Sequence, residues 1–308
     1  NMKRIVATGA TSMTGAALIE ECVRHGVEVY AVVRASSGKQ NRLPESETVH
    51  LIDCALEELE RLPERIPKGC DTFFHFAWGN TGECRNKSTE LQSRNIFYTL
   101  KAVRVAETLG CGRFVGAGSQ AEYGPMDVDK ISPDSPVNPT TPYGASKLAA
   151  GQLARMLCRE LGMECIWPRI FSVYGIYEKD TTMIASGLRR MLAGEPTEFT
   201  PAEQRWDYLY SRDAGRAYYL IGEKGKDGAV YCIGSGQARP LREYIEEMAR
   251  LTGARNPGIG AKPYPEGAVM NLCADIGALR RDTGFLPEYT FEQGIRGTIQ
   301  WLKEKNTL

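Results

Sequence analysis

The sequence predicts an α/β fold, in which a doubly wound parallel sheet is followed by a smaller C-terminal lobe. Short runs rich in β-branched residues alternate with amphipathic helical stretches in the first half of the chain, at 5–8, 28–33, 49–52, 72–76, 113–116 and 164–168. Such alternation indicates β-α-β units, whose right-handed crossovers place helices on both faces of a parallel sheet. Beyond residue 171 this order loosens, which predicts a further, smaller unit.

The first predicted strand leads into a turn that suits a phosphate group. Residues 3–7 are typical of a short buried strand, and Gly9, Gly15 and the apolar helical residues 16–19 follow it. Gly9 permits a tight turn, and Gly15 lets the helix pack closely on the sheet. The free backbone N–H groups at the start of that helix suit a pyrophosphate. The segment therefore predicts a Rossmann-type sheet that binds a dinucleotide.

The other strand ends support the same location for a ligand. Parallel strands bring their carboxyl ends to one edge of a sheet, and Gly9, Ala77 and Ser119 each follow a predicted strand. We therefore expect a dinucleotide to lie along this edge.

Tyr143 and Lys147 stand four residues apart in a predicted helix, so they share one face. An ammonium beside a phenol favours the ionised phenolate. Bringing a phenol from its usual pKa of ~10 to ~7 needs about 4 kcal/mol, for which the adjacent cation and a positively charged nicotinamide are the expected sources. Together with the hydroxyl of Ser119, these are the groups that hydride chemistry on a carbonyl needs.

Further segments match one known family in chain order. They are 8–15 (TGATSMTG), 75–78 (HFAW), 116–119 (GAGS), 139–147 (PTTPYGASK), 168–175 (PRIFSVYG), 207–214 (DYLYSRDA) and 231–236 (YCIGSG). The chain resembles the extended short-chain dehydrogenase/reductases, in their nucleotide-sugar epimerase/dehydratase branch. Ser12 stands where the family's first turn has its middle glycine. The resemblance spans nearly the whole chain.

The resemblance implies catalytic roles for Ser119, Tyr143 and Lys147. Tyr143 would exchange a proton with the sugar oxygen, Lys147 would hold the ribose, and Ser119 would hydrogen-bond the reacting oxygen. Asn95 would open a helix and support the lysine through a water. The residues implied in cofactor binding are Gly9, Thr11, Ser12, Met13, Gly15, Arg34, Ser36, Asp53, Ala77, Asn95, Tyr143, Lys147, Pro168 and Ile170. Among them, Asp53 matches the family's acidic residue near the adenine amino group.

The resemblance also implies two units. Residues 1–170 would form the dinucleotide-binding domain and 171–308 mainly the substrate-binding lobe, with a return segment near 205–235 that crosses back to the sheet. Segments 179–198, 237–251 and 256–267 are the expected parts of that lobe.

The loop after the second strand indicates which dinucleotide to expect. An acidic residue there would bind both ribose hydroxyls of NAD, but the loop begins with Arg34 and continues with Ser36, Ser37 and Lys39. Arg34 can stack on adenine and pair with a 2′-phosphate. We therefore expect NADP, with NAD as the alternative if this basic loop is merely solvated.

Three net reactions are open to this machinery: epimerisation, dehydration and ketone reduction. Dehydratases of the family carry acidic residues after the catalytic hydroxyl, where this chain has Gln120 and Ala121, with Glu122 one place off. 4,6-Dehydration is therefore disfavoured. The NADP-type loop favours a 4-ketoreductase acting on an NDP-4-keto-6-deoxyhexose, and an NDP-sugar 4-epimerase with retained NAD is the alternative. A nonenzymatic dinucleotide sensor is a third hypothesis, disfavoured because Tyr143 and Lys147 are both present.

The substrate side departs from the family pattern. Ser172 stands where many members have asparagine, and Trp206 where many have arginine, with Arg205 one position earlier. We expect Arg205 to reach the diphosphate and Trp206 to stack on the base or fill the lobe interface. The substrate candidates are Trp78, Gln120, Ser172, Arg205 and Trp206, and Asn80 and Tyr174 are further candidates for the sugar pocket. The identity of the nucleotide and of the sugar stays open.

Composition limits the partners. The 308 residues include 38 basic and 38 acidic side chains, which indicates neither a nucleic-acid nor an anionic-membrane partner. No apolar run approaches the ~20 residues of a membrane span, so we expect a cytoplasmic protein. The nine cysteines contain no C-x-x-C pair, and the three histidines lack ligand spacing. We therefore expect reduced thiols and no metal site.

By the same resemblance we expect a homodimer formed by the helices that begin near Asn95 and Tyr143. Leu148, Leu153 and Met156 either line that contact or face the sheet.

Overall fold

The structure is a computed structural model that describes residues 1–306, apart from the side chains of Glu83 and Cys84. The strands are β1 (Arg4–Thr8), β2 (Glu28–Val33), β3 (Val49–Asp53), β4 (Thr72–His75), β5 (Arg113–Val115), β6 (Gly118–Ser119), β7 (Glu164–Ile170), β8 (Ser172–Tyr174), β9 (Arg205–Trp206), β10 (Tyr208–Tyr210), β11 (Val230–Ile233), β12 (Arg239–Pro240) and β13 (Asn271–Leu272). The α-helices are α1 (Met13–Arg24), α2 (Thr89–Thr108), α3 (Pro142–Glu160), α4 (Met183–Leu192), α5 (Ser211–Lys224), α6 (Leu241–Thr252), α7 (Gly277–Thr283) and α8 (Phe291–Asn306). Short 3-10 helices cover Ala35–Ser37, Gln40–Arg42, Leu56–Glu64, Glu83–Asn86 and Gln120–Glu122.

The main sheet is parallel and has the strand order β3-β2-β1-β4-β5-β7-β11, with β6 beside β7. The predicted Rossmann-type α/β class is therefore confirmed. The strand order reverses between β1 and β4, and in such sheets ligands bind in the crevice at that point, outside the carboxyl ends of the strands. The register places Thr8 opposite His75 there.

Alternation along the strands produces a core on each face of the sheet. On one face, Ile5 and Ala7 of β1 pack with α1 and α5 around residues such as Leu18 and Tyr218. On the other face, Val6 packs with residues of α2 and α3. Because both faces are covered, every strand of the sheet interior needs apolar residues at consecutive positions, as 5–7 has.

The C-terminal part contributes smaller sheets and a third core. Strand β9 pairs with β12 antiparallel and with β13 parallel, and β8 pairs with β10. Around them, α4, α6 and α8 bury apolar side chains that include Leu188, Ile245, Met248 and Ile295. The chain returns to the main sheet through α5, which packs on α1, and through β11. The division of the chain at residue 170 stays a prediction.

Two further observations concern the surface and the thiols. No helix within residues 1–306 is both long and apolar enough to cross a membrane. The cysteines whose side chains are described have free thiols, and Cys84 lies outside those described side chains.

Candidate active site

The turn after β1 is shaped by two close backbone approaches. Gly9 has φ +60°, and a Cβ on it would lie 2.6 Å from the backbone nitrogen of Ala77. A Cβ on Gly15 would lie 2.5 Å from the carbonyl oxygen of Gly9. Ser12 caps α1, because its hydroxyl accepts the Gly15 N–H at 3.1 Å. The serine at the family's glycine position therefore serves the helix start.

The ends of β1 and β4 are joined by a threonine hydroxyl. The Oγ1 of Thr8 lies 2.7 Å from Nδ1 of His75 and accepts the Ala77 N–H at 3.3 Å. His75 is buried, and its Nε2 has no hydrogen-bond partner among the described residues. Burial, and then the positive charge of Lys147, lower the pKa of His75 to about 3. The imidazole is therefore neutral at pH 7, and its contact with the Thr8 hydroxyl links the ends of β1 and β4.

The structure brings Ser119, Tyr143 and Lys147 together at this crevice. Ser119 ends β6, and its hydroxyl accepts the Ala121 N–H at 3.1 Å and lies close enough to the Tyr143 phenol to affect the pKa of that phenol. Tyr143 and Lys147 lie in the first two turns of α3, and Nζ of Lys147 is 5.7 Å from the centre of the Tyr143 ring. This Nζ donates to the Ala117 carbonyl at 2.6 Å and lies 3.9 Å from the centre of the Trp78 ring.

Burial is the main influence on the pKa values of Tyr143 and Lys147. Burial raises the pKa of Tyr143, while the positive charge of Arg85 and the nearby Ser119 hydroxyl oppose that rise. Burial also lowers the pKa of Lys147 to about 7, although the carboxylate of Glu122 counteracts part of this effect. The ionised phenol, which was expected from Lys147 together with a positively charged nicotinamide, stays a prediction, because among the protein's own groups burial is the largest effect on the pKa of Tyr143.

Arg85 was not predicted as a site residue. Its guanidinium lies 4.7 Å from the centre of the Tyr143 ring, within the range of a cation–π contact. Lys179 approaches the same region, since its ammonium donates to the carbonyl of Thr81 at 3.0 Å and its pKa is lowered by burial and by the charge of Arg85. No spacing in the sequence links these residues to Tyr143.

Asn95 does not open a helix, because α2 begins six residues earlier, at Thr89. Its buried amide accepts the Gly79 N–H at 2.7 Å and donates to the Gly79 carbonyl at 3.0 Å and the Gln92 carbonyl at 3.3 Å. Asn95 therefore fixes the loop after β4 that carries Trp78.

Basic side chains collect at the opposite end of the crevice, beyond β2. Arg34 is exposed directly after this strand. Burial, and then the charges of Arg42 and Arg34, lower the pKa of Lys39. Arg42 donates to the Thr11 carbonyl at 2.9 Å and lies 4.8 Å from the centre of the Tyr177 ring. Arg42 was missed in the sequence, although it continues the basic pattern of positions 34 and 39.

The remaining predicted cofactor residues lie along the same edge. Asp53 ends β3 and accepts the Ala35 N–H at 2.8 Å, which ties the loop containing exposed Ser36 to the sheet. Met13 is the first residue of α1. Pro168 and Ile170 lie on β7, and the register sets Ile170 opposite Ser119.

The predicted substrate residues do not all lie together. The Trp206 indole donates to the Ser172 hydroxyl at 2.9 Å. Arg205 precedes Trp206 on β9, and successive strand residues point to opposite faces. Its guanidinium donates to the Ala238 carbonyl at 2.8 Å and lines a cavity of about 500 Å³ with Lys130. The side chains of Arg205 and Trp206 therefore lie on opposite faces of β9 and have different partners.

Of the two other substrate candidates, Trp78 contacts Tyr143. The Trp78 ring lies edge-on to the Tyr143 ring, with 6.1 Å between their centres, and its indole donates to Gln92 at 2.9 Å. Gln120 is half-buried in the 3-10 helix that follows Ser119.

Glu122 points away from the crevice. It is fully buried, and its carboxylate accepts the Ser119 N–H at 2.7 Å and the Arg169 Nε–H at 2.9 Å. The indole N–H of Trp167 donates to the same group at 3.1 Å. With all its bonds made inside the protein, this carboxylate is not presented to a substrate.

Comparison with known proteins assigns the chain to a family. The family model described as "NAD dependent epimerase/dehydratase family" matches residues 5–234. The chain belongs to the NAD-dependent epimerase/dehydratase family. The match covers the β1 turn, the Ser119 strand and the Tyr143–Lys147 helix, so the resemblance inferred from the motifs is confirmed.

Individual members of the family are distant in sequence. A dTDP-glucose 4,6-dehydratase of Xanthomonas campestris is 27% identical, over 63% of this chain and 59% of that protein, so this chain spans less than two thirds of it. A UDP-glucose 4-epimerase of Corynebacterium glutamicum is 25% identical over 93% of this chain and 92% of that protein.

Solved structures of the family share the fold over nearly the full length. The UDP-glucose 4-epimerase of Thermotoga maritima, with UDP-glucose, superposes with a TM-score of 0.88 at 23% identity, covering 98% of this chain and 99% of that one. MoeE5, in complex with UDP-glucuronic acid and NAD, has a TM-score of 0.83 at 26% identity, covering 98% and 99% of the two chains.

The residues of this chain fit the dinucleotide that the family name implies. The close backbone approaches at Gly9 and Gly15 leave no room for side chains in the turn between β1 and α1, and the first N–H groups of a helix have no intrahelical partner. They suit a pyrophosphate, and the basic side chains beyond β2 suit the adenosine end.

The buried ammonium of Lys147 predicts a specific pH dependence of stability. Its folded pKa of about 7 lies below its ordinary value of 10.5, so between these pH values the unfolded chain binds more protons than the folded protein. The contribution of Lys147 to the free energy of unfolding therefore rises with pH across this window, by at most about 1.4 kcal/mol per pH unit.

We expect Lys147→Met to remove this rise, as measured by chemical denaturation of the wild type and the variant from pH 6.5 to 9.5. Lys101→Met, which alters an ammonium on the surface of α2, is the control and should keep the wild-type slope. Parallel curves for wild type and Lys147→Met would contradict the assignment.

Proposed function

We propose that this chain catalyses hydride transfer at C4 of a nucleotide-diphosphate sugar, and that its net reaction is the reduction of an NDP-4-keto-6-deoxyhexose. The convergence of Ser119, Tyr143 and Lys147 at the carboxyl edge of the sheet carries the proposal. The lobe built largely from residues beyond 170 would bind the sugar nucleotide.

In this proposal, Tyr143 is the general acid. Its phenol gives a proton to the O4 atom as the carbonyl carbon C4 gains hydride, and the Ser119 hydroxyl orients that oxygen. The raised pKa keeps the phenol protonated at neutral pH, which suits a proton donor. Lys147 supplies positive charge beside the phenolate that forms. The dinucleotide supplies the hydride when it is bound.

Dehydration is disfavoured on geometric grounds as well as on motif grounds. Elimination needs an additional acid and base that reach the sugar, and Gln120 and Ala121 offer neither. Glu122, the nearest carboxylate in sequence, is fully buried and bonded to Ser119, Trp167 and Arg169.

NADP is proposed as the cofactor. A reductase must exchange its dinucleotide after each turnover, and Arg34, Lys39 and Arg42 form a positive cluster beyond β2 that suits a 2′-phosphate. NAD is the alternative, because the family is NAD-dependent and MoeE5 was solved with NAD.

A 4-epimerase that retains NAD is the second candidate function. It is favoured by the match, over 93% of this chain, to a UDP-glucose 4-epimerase. The test is NADPH oxidation by the purified protein with a panel of NDP-4-keto-6-deoxyhexoses, with the product identified by NMR. Stoichiometric oxidation supports the reductase, whereas conversion of an NDP-hexose to its C4 epimer without net oxidation supports the epimerase.

Tyr143→Phe should lower turnover by at least ~100-fold, because general acid catalysis is lost, and should leave NADPH binding within about twofold. The measurements are steady-state rates and fluorescence titration of NADPH. Tyr219→Phe, which removes a phenol bonded to Glu223 on α5, is the matched control and should keep full activity. Unchanged turnover in Tyr143→Phe would contradict the general-acid role of the phenol, whereas a wild type that binds NADPH but converts no sugar nucleotide would favour the nonenzymatic sensor.

Replacing Arg34 and Arg42 together by Met should weaken NADPH binding by about 10- to 100-fold and NADH binding much less, since both carry the adenine but only NADPH carries the 2′-phosphate. Binding of both dinucleotides is measured by calorimetry. Arg61→Met, at a surface arginine near Glu58, is the control. An equal loss of affinity for both dinucleotides would mean that Arg34 and Arg42 do not bind the 2′-phosphate.

We further propose a homodimer through α2 and α3, which pack side by side. Phe97, Leu153 and Met156 are 71%, 40% and 62% exposed, respectively, so the last two do not face the sheet. Leu148 is half-buried. Large apolar side chains on adjoining helices support a contact with a second copy.

The double variant Phe97→Glu, Met156→Glu should be a monomer, because the isologous contact would bring like charges together. Sedimentation velocity of wild type and variant measures the change. Val137→Glu, at an exposed apolar residue outside α2 and α3, should stay dimeric. A monomeric wild type would refute the proposed interface.

A further inference from the structure

A buried network lies directly beneath the candidate catalytic serine. The Glu122 carboxylate accepts the backbone N–H of Ser119 at 2.7 Å, the indole N–H of Trp167 at 3.1 Å and Nε–H of Arg169 at 2.9 Å. Glu122 is fully buried, and Arg169 is 5% exposed. The guanidinium of Arg169 also lies 4.7 Å from the centre of the Tyr123 ring.

Trp167 joins this network to both elements that carry the site. A Cβ on Gly118, the residue before Ser119, would lie 2.5 Å from Nε1 of Trp167. A Cβ on Gly151, one helical turn beyond Lys147, would lie 2.5 Å from the same indole ring. The indole therefore packs without a gap between the strand of Ser119 and the helix of Lys147.

The charge of Glu122 reaches the same groups. Its carboxylate raises the pKa of Lys147, against the effect of burial. It also raises the pKa of Tyr143, in the same direction as burial. It also acts to raise the pKa of Cys232 and Tyr218. The titratable and charged side chains around this carboxylate and Lys147 are His75, Arg85, Tyr123, Tyr143, Arg169, Tyr218 and Cys232.

We propose that Glu122 is a positioning residue: Trp167 and Arg169 hold its carboxylate, which fixes Ser119 through its backbone N–H and keeps a negative charge behind Lys147. The inference rests on the proposed function for its catalytic consequence. This role differs from that of the acid or base of a dehydratase, because the Glu122 carboxylate contacts the backbone N–H of Ser119 and not the substrate.

Two substitutions separate the roles of geometry and charge. Glu122→Asp keeps the charge and withdraws the carboxylate by one methylene, so Ser119 loses its acceptor. We expect kcat to fall about 10- to 100-fold with the sugar KM within about twofold and the pH profile unmoved, since a small misplacement of a catalytic group is costly. Glu122→Gln keeps an acceptor and removes the charge, so the limb of the profile set by Tyr143 and Lys147 should move to lower pH.

A readout without substrate accompanies the kinetics. Amide hydrogen exchange at Ser119, measured by NMR in the ligand-free protein, should be slow in wild type and faster in Glu122→Asp. Asp213→Asn is the matched control, since Asp213 is fully buried and ion-paired with Arg216 at 3.2 Å in α5. It should keep the wild-type kcat, pH profile and Ser119 exchange.

The outcomes are distinct. Wild-type kcat and Ser119 protection in Glu122→Asp would overturn the positioning role, and an unmoved pH profile in Glu122→Gln would overturn the role of the charge. A loss in Asp213→Asn equal to that in Glu122→Asp would reduce the effect to general stability and so overturn the proposal. If Glu122→Gln does not fold, Glu122→Asp still decides the positioning. If wild type converts no sugar nucleotide, the proposed function fails, and Ser119 exchange alone decides whether Glu122 fixes that residue.

Discussion

The burial of the Lys147 ammonium at the carboxyl edge of the sheet is the constraint on which the site depends. A buried charge is unfavourable unless it is paired or hydrogen-bonded. Here the Ala117 carbonyl at 2.6 Å and the face of the Trp78 ring at 3.9 Å partly replace water around Nζ. Even so, burial lowers the pKa of Lys147 to about 7. The loop after β4, the end of β5 and α3 must all be in place for this ammonium to remain near Tyr143.

Several contacts outside the crevice help to hold Lys147 and Tyr143 in position. Asn95 bonds both polar groups of Gly79 and so holds the loop that carries Trp78. The Thr8 hydroxyl links β1 to β4, where the sheet order reverses. Glycines at 118 and 151 let Trp167 reach the strand of Ser119 and the helix of Lys147 at once. The candidate site is thus supported by groups that do not themselves face the crevice.

The architecture was largely predictable, whereas much of the site chemistry was not. The six runs rich in β-branched residues correspond to parallel strands of the main sheet, with ends that differ by up to two residues. The spacing of Tyr143 and Lys147 correctly indicated a shared helix face. Asn95 was placed at a helix start because its motif lies near one, but α2 has an additional turn and a half before it. The raised pKa of Tyr143 was missed, because a local pattern contains no information on solvent exclusion.

The sequence by itself determined the class of fold, the family and the chain positions of the hydroxyl, the phenol and the ammonium. These follow from periodicity and from motifs, which are local properties of the chain. Only the tertiary structure decided that Glu122 points into the protein, that Arg205 faces away from Trp206, and that Arg85 lies over the Tyr143 ring. Those contacts join residues that are distant in sequence or depend on which side of a short strand meets the core. Burial and the balance of neighbouring charges, which set the protonation of Tyr143 and Lys147, exist only once those parts have packed together.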